Sequence, residues 1–229
     1  LPGDRDNIAA ELGWVGLGHD DIFPAKTNLH RSGVNQTGGS PLFQVFVLMS
    51  GLWLLTNMAI PVLVGQLKVA SHLDAQSISL TMLVATVVSA VAMLAAGQLS
   101  TVLGRRTFFL GFGLVAAVLA PVIFLGIFRW DESLVVMLVV ALQVVTVSGY
   151  GPVGAYLTER FPAAVRSSGY GVGYSLSIVL PALYPYYLPA LQAVLGQQTA
   201  IAVLLGLGGV LVFIGGITGP ETNRMGSLR

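Results

Sequence analysis

Charge is scarce in this chain. Asp, Glu, Lys and Arg together supply 9% of its 229 residues, where a soluble domain carries roughly 25%. The formal net charge of +1 gives no reason to expect nucleic acid. There is no cysteine, which excludes disulfides and says nothing about the redox compartment. Residues 1–40 contain no apolar core of the signal-peptide kind and the chain starts at Leu1, so it reads as beginning inside a longer or processed protein. The apolar stretches do not alternate with period two, which excludes a β-barrel. No nucleophile–base pair or metal-ligand set can be assembled at membrane depth, so enzyme chemistry is not expected and no cofactor is called for.

Apolar residues are abundant: 55% of the chain is hydrophobic and the mean hydropathy is +0.81. Six nearly uncharged blocks lie at about residues 42–64, 75–97, 107–128, 133–157, 169–188 and 198–219. Each is close to the ~20 residues that a helix needs to cross ~30 Å of hydrocarbon. The expected fold is an all-α integral membrane protein with six transmembrane helices. The charges collect at the joints. The tail, the second-to-third link, the fourth-to-fifth link and the C-terminus hold Arg5, Lys26, Arg31, Arg105, Arg106, Arg160, Arg166, Arg224 and Arg229, whereas the opposite side holds Lys68 and Arg129. Nine against two places both termini in the cytoplasm by the positive-inside rule. The domain plan is a cytoplasmic tail over 1–40, a membrane domain over 41–220 and a short tail over 221–229. In the tail over 1–40, Asn35-Gln36-Thr37 fits a glycosylation sequon that a cytoplasmic location would leave unused. His19-Asp20-Asp21 reads as solvated polar loop rather than a metal site.

Two joints carry motifs. The second-to-third link runs from Gly97 to Gly104-Arg105-Arg106, read as a tight turn followed by paired arginines able to bond carboxylates or to anchor a helix end in lipid headgroups. The fourth-to-fifth link contains Glu159, Pro162 and Arg166. This Glu-x-x-Pro-x-x-x-Arg spacing resembles the segment after the tenth helix of the major facilitator superfamily. Tyr150-Gly151-Pro152, just before it, is similar to the metabolite:proton symporter branch. The Gly97–Arg106 link resembles the loop between that superfamily's eighth and ninth helices, and Pro220-Glu221-Thr222 resembles the segment closing its twelfth. The resemblance covers residues 41–223. It departs at one place: Thr101 stands where the loop pattern has aspartate, so Arg105 and Arg106 are expected to find Glu159 or Glu221 instead.

The resemblance implies the C-terminal six-helix half of a transporter, built as two inverted three-helix repeats, with the substrate between this half and a second one. It assigns Arg105, Arg106, Glu159, Arg166 and Glu221 to a cytoplasmic gate, against the simpler reading of static surface pairs. No ionisable residue lies in the core of any span, so a proton relay, if coupling occurs, draws on residues elsewhere. The neutral polar residues Asn57, Gln44, Gln143, Tyr150, Tyr170, Tyr174 and Tyr184 remain as substrate-pathway candidates, with interhelical hydrogen bonding as the rival reading. Pro181, Pro185 and Pro189 predict a kinked or unwound stretch, a candidate extracellular gate, with Tyr186 and Tyr187 as an interfacial aromatic belt. Gly169, Gly171 and Gly173 read as close helix packing, because no strand precedes them as a phosphate-binding turn requires.

The expected function is alternating-access transport of a small polar metabolite of the organic acid, amino acid or betaine class. The expected partners are that solute, the lipid bilayer and a second six-helix half, supplied by another chain or by a second copy. The alternative is a membrane scaffold or an inactive half-transporter. Convergence of Asn57, Gln143, Tyr150 and Tyr174 on one face favours transport, and their scatter into helix contacts favours the scaffold.

Overall fold

The computed structural model of the protein describes residues 41–70, 73–129 and 132–222. The tail over 1–40, with Asn35 and the His19-Asp20-Asp21 run, lies outside the described residues, as do residues 223–229. Among the described residues the chain is helical and forms no strand. The helices are α1 (Pro41–Val69), α2 (Ala75–Leu103), α3 (Arg105–Ile127), α4 (Leu134–Arg160), α5 in an inner piece (Arg166–Ala182) and an outer piece (Tyr184–Leu195), and α6 (Gln197–Thr218). Among the described residues five are long and apolar enough to cross a membrane singly, and six if the bent α5 pair is taken as one span.

The starts and interruptions of these helices follow local chemistry. α1 begins at Pro41, whose missing amide costs nothing in a first turn. Farther along, Pro61 sits within a π-helical segment, Met58–Val62, where the regular ladder loses a donor. α2 is capped by Asp74, whose side chain accepts from the Ser77 amide at 3.1 Å. Hydrogen bonding to Ser77 holds the Asp74 carboxyl below its ordinary range. A carboxyl depressed in this way stabilises the fold above its unfolded-state pKa, and the contribution fades as pH falls through the folded value. α4 tightens into a 3-10 turn at Ser148–Tyr150, just ahead of Pro152.

α1 and α6 form the centre of the bundle. Of their apolar windows 61% and 56% respectively are buried, against 22% for α2. α6 lies along both α3 and α1, while α4 packs against α2 and α3. The buried row on α3, Phe109, Gly113, Ala116, Ala120, Phe124 and Ile127, repeats every three or four residues and so forms one helical face. Opposite it α6 offers Gly209, Val212 and Gly216. The small side chains let the two backbones approach closely, as membrane helices without a hydrophobic driving force require. The outward faces are apolar too: Val84, Val87, Val88, Val91 and Leu94 of α2 are all exposed, a surface that suits lipid and not water.

Two expectations about the joints change. The second span extends beyond Gly97 as far as Leu103, so the stretch from Gly97 is helix and the turn is the single residue Gly104. Gly97 instead lies beside the Gly151 backbone of α4. The fifth span is longer than residues 169–188, and it is broken where its prolines predict a kink. It runs from Arg166 to Leu195 with a 41° bend between its pieces, because Pro181 and Pro185 cannot donate to the ladder.

The α3–α6 contact makes a testable distinction within one helix. A Cβ at Gly113 would fall 2.5 Å from the Phe213 amide nitrogen, a backbone atom that cannot move aside, whereas one at Gly111 meets nothing within 4 Å. Gly113→Ala should therefore lower stability by about 1–3 kcal/mol, the usual range for overpacking. Gly111→Ala should be neutral or mildly stabilising. Thermal unfolding in detergent compares the two.

Candidate functional site

Two polar clusters are embedded in this apolar bundle. The first closes its arginine-rich end. Gly104 adopts φ 93°, a left-handed conformation that suits glycine, and turns α2 directly into α3. The first amides of α3 have no partners within the helix. The Glu221 carboxylate supplies them: Oε1 accepts from the Arg105 amide at 2.7 Å and Oε2 from the Arg106 amide at 3.1 Å. A negative group at a helix N-terminus is also favoured by the helix dipole. This approach needs Gly104, because a Cβ there would lie 2.5 Å from Glu221 Oε2.

The Arg105 side chain turns inward and is almost buried. Its Nη2 lies 3.5 Å from Glu159 Oε1, at the end of α4, and its Nη1 donates to Ser100 Oγ of α2. Thr222 Oγ1 donates to the other Glu159 oxygen. Arg106 Nη2 reaches the Ile217 carbonyl at 3.4 Å. Ends of α2, α3, α4 and α6 are thus tied around one arginine and two carboxylates. Beside them Gln44 of α1, fully buried, donates to Tyr156 Oη and to the Gly215 carbonyl, both at 2.8 Å, and accepts from Arg160 Nε at 2.6 Å.

Of the proposed gate residues, Arg105, Arg106, Glu159 and Glu221 are brought together. Arg166 is not part of this group: its Nε points back to the Phe161 carbonyl at 3.4 Å, helping to close the Pro162 turn. Gln44 belongs to this end of the bundle and not to the mid-span pathway. Where the resemblance pattern has aspartate, Thr101 Oγ1 bonds the Gln98 carbonyl at 2.6 Å, and the neighbouring Ser100 hydroxyl meets Arg105 instead.

The second cluster centres on Trp53, twelve residues into α1. At about 1.5 Å per residue that is about 18 Å along the helix, near the middle of a ~30 Å span. Tyr150 of α4 and Tyr174 of α5 both pack edge-on against the indole, with centroids at 5.7 and 5.4 Å. Tyr170 stacks on Tyr174 at 5.8 Å. Edge-to-face and offset contacts are the arrangements that aromatic quadrupoles favour. The Thr56 and Tyr150 hydroxyls are 3.2 Å apart. Thr56 gives its proton to the Leu52 carbonyl at 2.9 Å, so Tyr150 donates to Thr56. Asn57 Nδ2 bonds the Trp53 carbonyl at 2.9 Å, which leaves its amide oxygen free of that bond. Trp53 Nε1 is buried without a hydrogen-bond partner, as are Ser89 Oγ, Arg105 Nε and Gln143 Oε1.

Tyr150 and Tyr174 therefore pack on the Trp53 ring, with Tyr170 stacked on Tyr174 and Asn57 bonded to the backbone of its own helix; the sequence reading passed over Trp53. Its signal was present: tryptophan favours the membrane interfaces, and this one sits mid-span, one turn from Asn57. Gln143 lies apart, with Nε2 on Thr86 Oγ1 of α2 at 3.2 Å, an interhelical bond. Tyr184 opens the outer piece of α5 and packs against the apolar core. Tyr187 is not purely interfacial, since its hydroxyl bonds the Pro181 carbonyl at 3.3 Å, whereas Tyr186 is 81% exposed.

A family model described as "Sugar (and other) transporter" matches residues 27–226. The chain belongs to this family. It is a multi-pass membrane protein of the major facilitator superfamily, and the family's work is membrane transport. Comparison with curated proteins and with solved structures gave no match. In this transporter the Gly104–Glu221 contact is open to direct test. Glu221→Ala removes the acceptor for two helix-end amides and should cost about 0.5–2 kcal/mol, as loss of a helix cap does. Gly104→Ala should cost at least as much, because it strains the turn and displaces the same carboxylate. Thermal melts of the two variants and their double mutant should be less than additive, as expected for residues acting on one contact.

Proposed function

We propose that the chain forms one wall of an alternating-access pathway for a small polar metabolite, with Trp53, Asn57, Tyr150, Tyr170 and Tyr174 lining it. The convergence of three helices on Trp53 at mid-span carries this reading. An unpartnered indole N–H there offers a hydrogen bond to a solute's carboxylate, carbonyl or hydroxyl group, and the surrounding rings offer apolar or cation-binding faces. The cluster holds no fixed charge. Organic acids, amino acids and betaines remain the proposed class, with proton coupling carried by residues outside these spans. Gln143 and Tyr184 leave the list of lining residues.

In this reading both termini and the Arg105 cluster face the cytoplasm, in the cell membrane. Arg105, Arg106, Glu159 and Glu221 hold the cytoplasmic end closed while their contacts persist. Charge-assisted bonds at helix ends suit this work, since rigid bodies can separate there without disturbing the apolar packing. A second six-helix half, from another chain or a second copy, completes the pathway.

Uptake into liposomes tests the proposal. Flux of a radiolabelled dicarboxylate, amino acid or betaine, with and without a pH gradient and with a candidate N-terminal half supplied, is the expected result. Its absence under all these conditions would overturn the transport role. Trp53→Phe keeps a ring and removes the donor, so it should raise KM by about tenfold, the worth of one hydrogen bond. The gate has its own readout. Glu159→Gln should speed labelling of Thr56→Cys by a thiol reagent applied from the cytoplasmic side several-fold, whereas Arg166→Gln should change it little.

A further inference from the structure

A proline inside a helix leaves an acceptor behind it, because the carbonyl four residues earlier loses its amide donor. In hydrocarbon no water replaces that donor, so another group of the protein must. In α4 the backbone solves the problem. Pro152 cannot serve the Ser148 carbonyl, and the Gly151 amide takes it at 3.0 Å by tightening the turn. α5 does something different. Pro181 and Pro185 release the carbonyls of Ser177 and Pro181, and a side-chain hydroxyl reaches each, with a backbone N–H at the Leu183 cap also donating to the Pro181 carbonyl. Ser50 Oγ of α1 donates to the Ser177 carbonyl at 3.1 Å, and Tyr187 Oη donates to the Pro181 carbonyl at 3.3 Å. Ser50 is 6% exposed and Ser177 is fully buried, so solvent does not compete for the first of these bonds.

We propose that Ser50 and Tyr187 are positioning residues that set the shape of α5, Ser50 standing in for the amide that Pro181 lacks and Tyr187 reinforcing the backbone bond to the Pro181 carbonyl. Ser50 ties the inner piece to the turn of α1 that carries Trp53. The tie extends to the aromatic cluster, because Ser177 Oγ bonds the Tyr174 carbonyl at 2.7 Å and the Tyr174 ring packs on Trp53. Tyr187 acts across the break at Leu183 and fixes the angle of the outer piece. Unlike a backbone ladder, either bond opens by rotation of one side chain. α5 therefore has a hinge with two separate fasteners, one reporting to α1 and one internal to the helix. The inference rests on helix geometry and is independent of which solute the protein carries.

The absence of native cysteine makes the test direct. Spin labels at Val172→Cys and Val194→Cys, both exposed, flank the break at a separation of about 30 Å, from ~22 residues at about 1.5 Å each. Pulsed electron resonance in lipid nanodiscs reads their distance distribution. Trp53 emission, with Trp14 and Trp130 replaced by Phe, reads the α1 contact. Tyr187→Phe should broaden the distance distribution and Ser50→Ala should shift the Trp53 emission, while Ser50→Thr, which keeps the hydroxyl, should resemble wild type. The decisive arm restores the amides. On a Pro181→Ala background Ser50→Ala should become silent, and on a Pro185→Ala background Tyr187→Phe should become silent. The proposal is overturned if the two hydroxyl-deleting variants behave as wild type in both readouts, or if their effects persist undiminished after the prolines are replaced.

Discussion

Hydrocarbon offers no hydrogen bonds, and this one constraint organises the molecule. Every amide and carbonyl that leaves the helical ladder within the bilayer must find its partner inside the protein. Most of the polar side chains at depth do that work. Gln44 saturates a carbonyl, a phenol and a guanidinium at once, Thr146 returns its proton to the Leu142 carbonyl, and Ser50 answers a proline on another helix. The rule is not met at four buried side-chain atoms among the described residues, Trp53 Nε1, Ser89 Oγ, Arg105 Nε and Gln143 Oε1. Of these the Trp53 donor lies among aromatic rings from three helices, and an unmet donor there is a reason to look for a ligand.

The two clusters are joined through shared helices. α1 bears Gln44 at the arginine-rich end and Trp53 at mid-span, while α4 bears Tyr150 at mid-span and Glu159 at its end. Helices resist bending except where the ladder is interrupted. α4 is interrupted at Ser148–Tyr150, beside the aromatic cluster, and α1 at Met58–Val62, just past it. Both weak points lie next to Trp53 and not next to Glu159. The interruptions of both helices thus lie beside the aromatic cluster, while the stretches that carry Gln44 and Glu159 are regular helix.

The membrane-spanning helices were readable because hydropathy is a property of long windows, and a 20-residue apolar block tolerates errors of several residues at each end. Charge scarcity did the rest: with so few ionic groups, Arg105, Glu159 and Glu221 had few partners to choose from. Side-chain direction was not readable. Asn57 and Gln143 look alike in sequence, as mid-span amides, yet one borders the aromatic cluster and the other bonds Thr86. Helix rotation about its own axis decides this, and in uniformly apolar helices no polar face reports the rotation. Gly97 misled for a related reason. Glycine marks both turns and close helix contacts, and only the backbone torsions separate Gly104 from Gly97. Arg166 has the right spacing in the chain for the cluster, but the Pro162 turn aims it at the Phe161 carbonyl.

The bond between Glu221 and the Arg105 amide spans 116 positions of the chain, and this bears on how the protein is made. During synthesis α3 must enter the bilayer with its leading amides open, since the carboxylate that caps them emerges only after three more passes through the membrane. Until then those amides face lipid headgroups or water. The closing of this ring is consequently a late event in assembly, and a nascent chain halted before residue 221 is left with a frayed joint at Gly104 in place of a finished one.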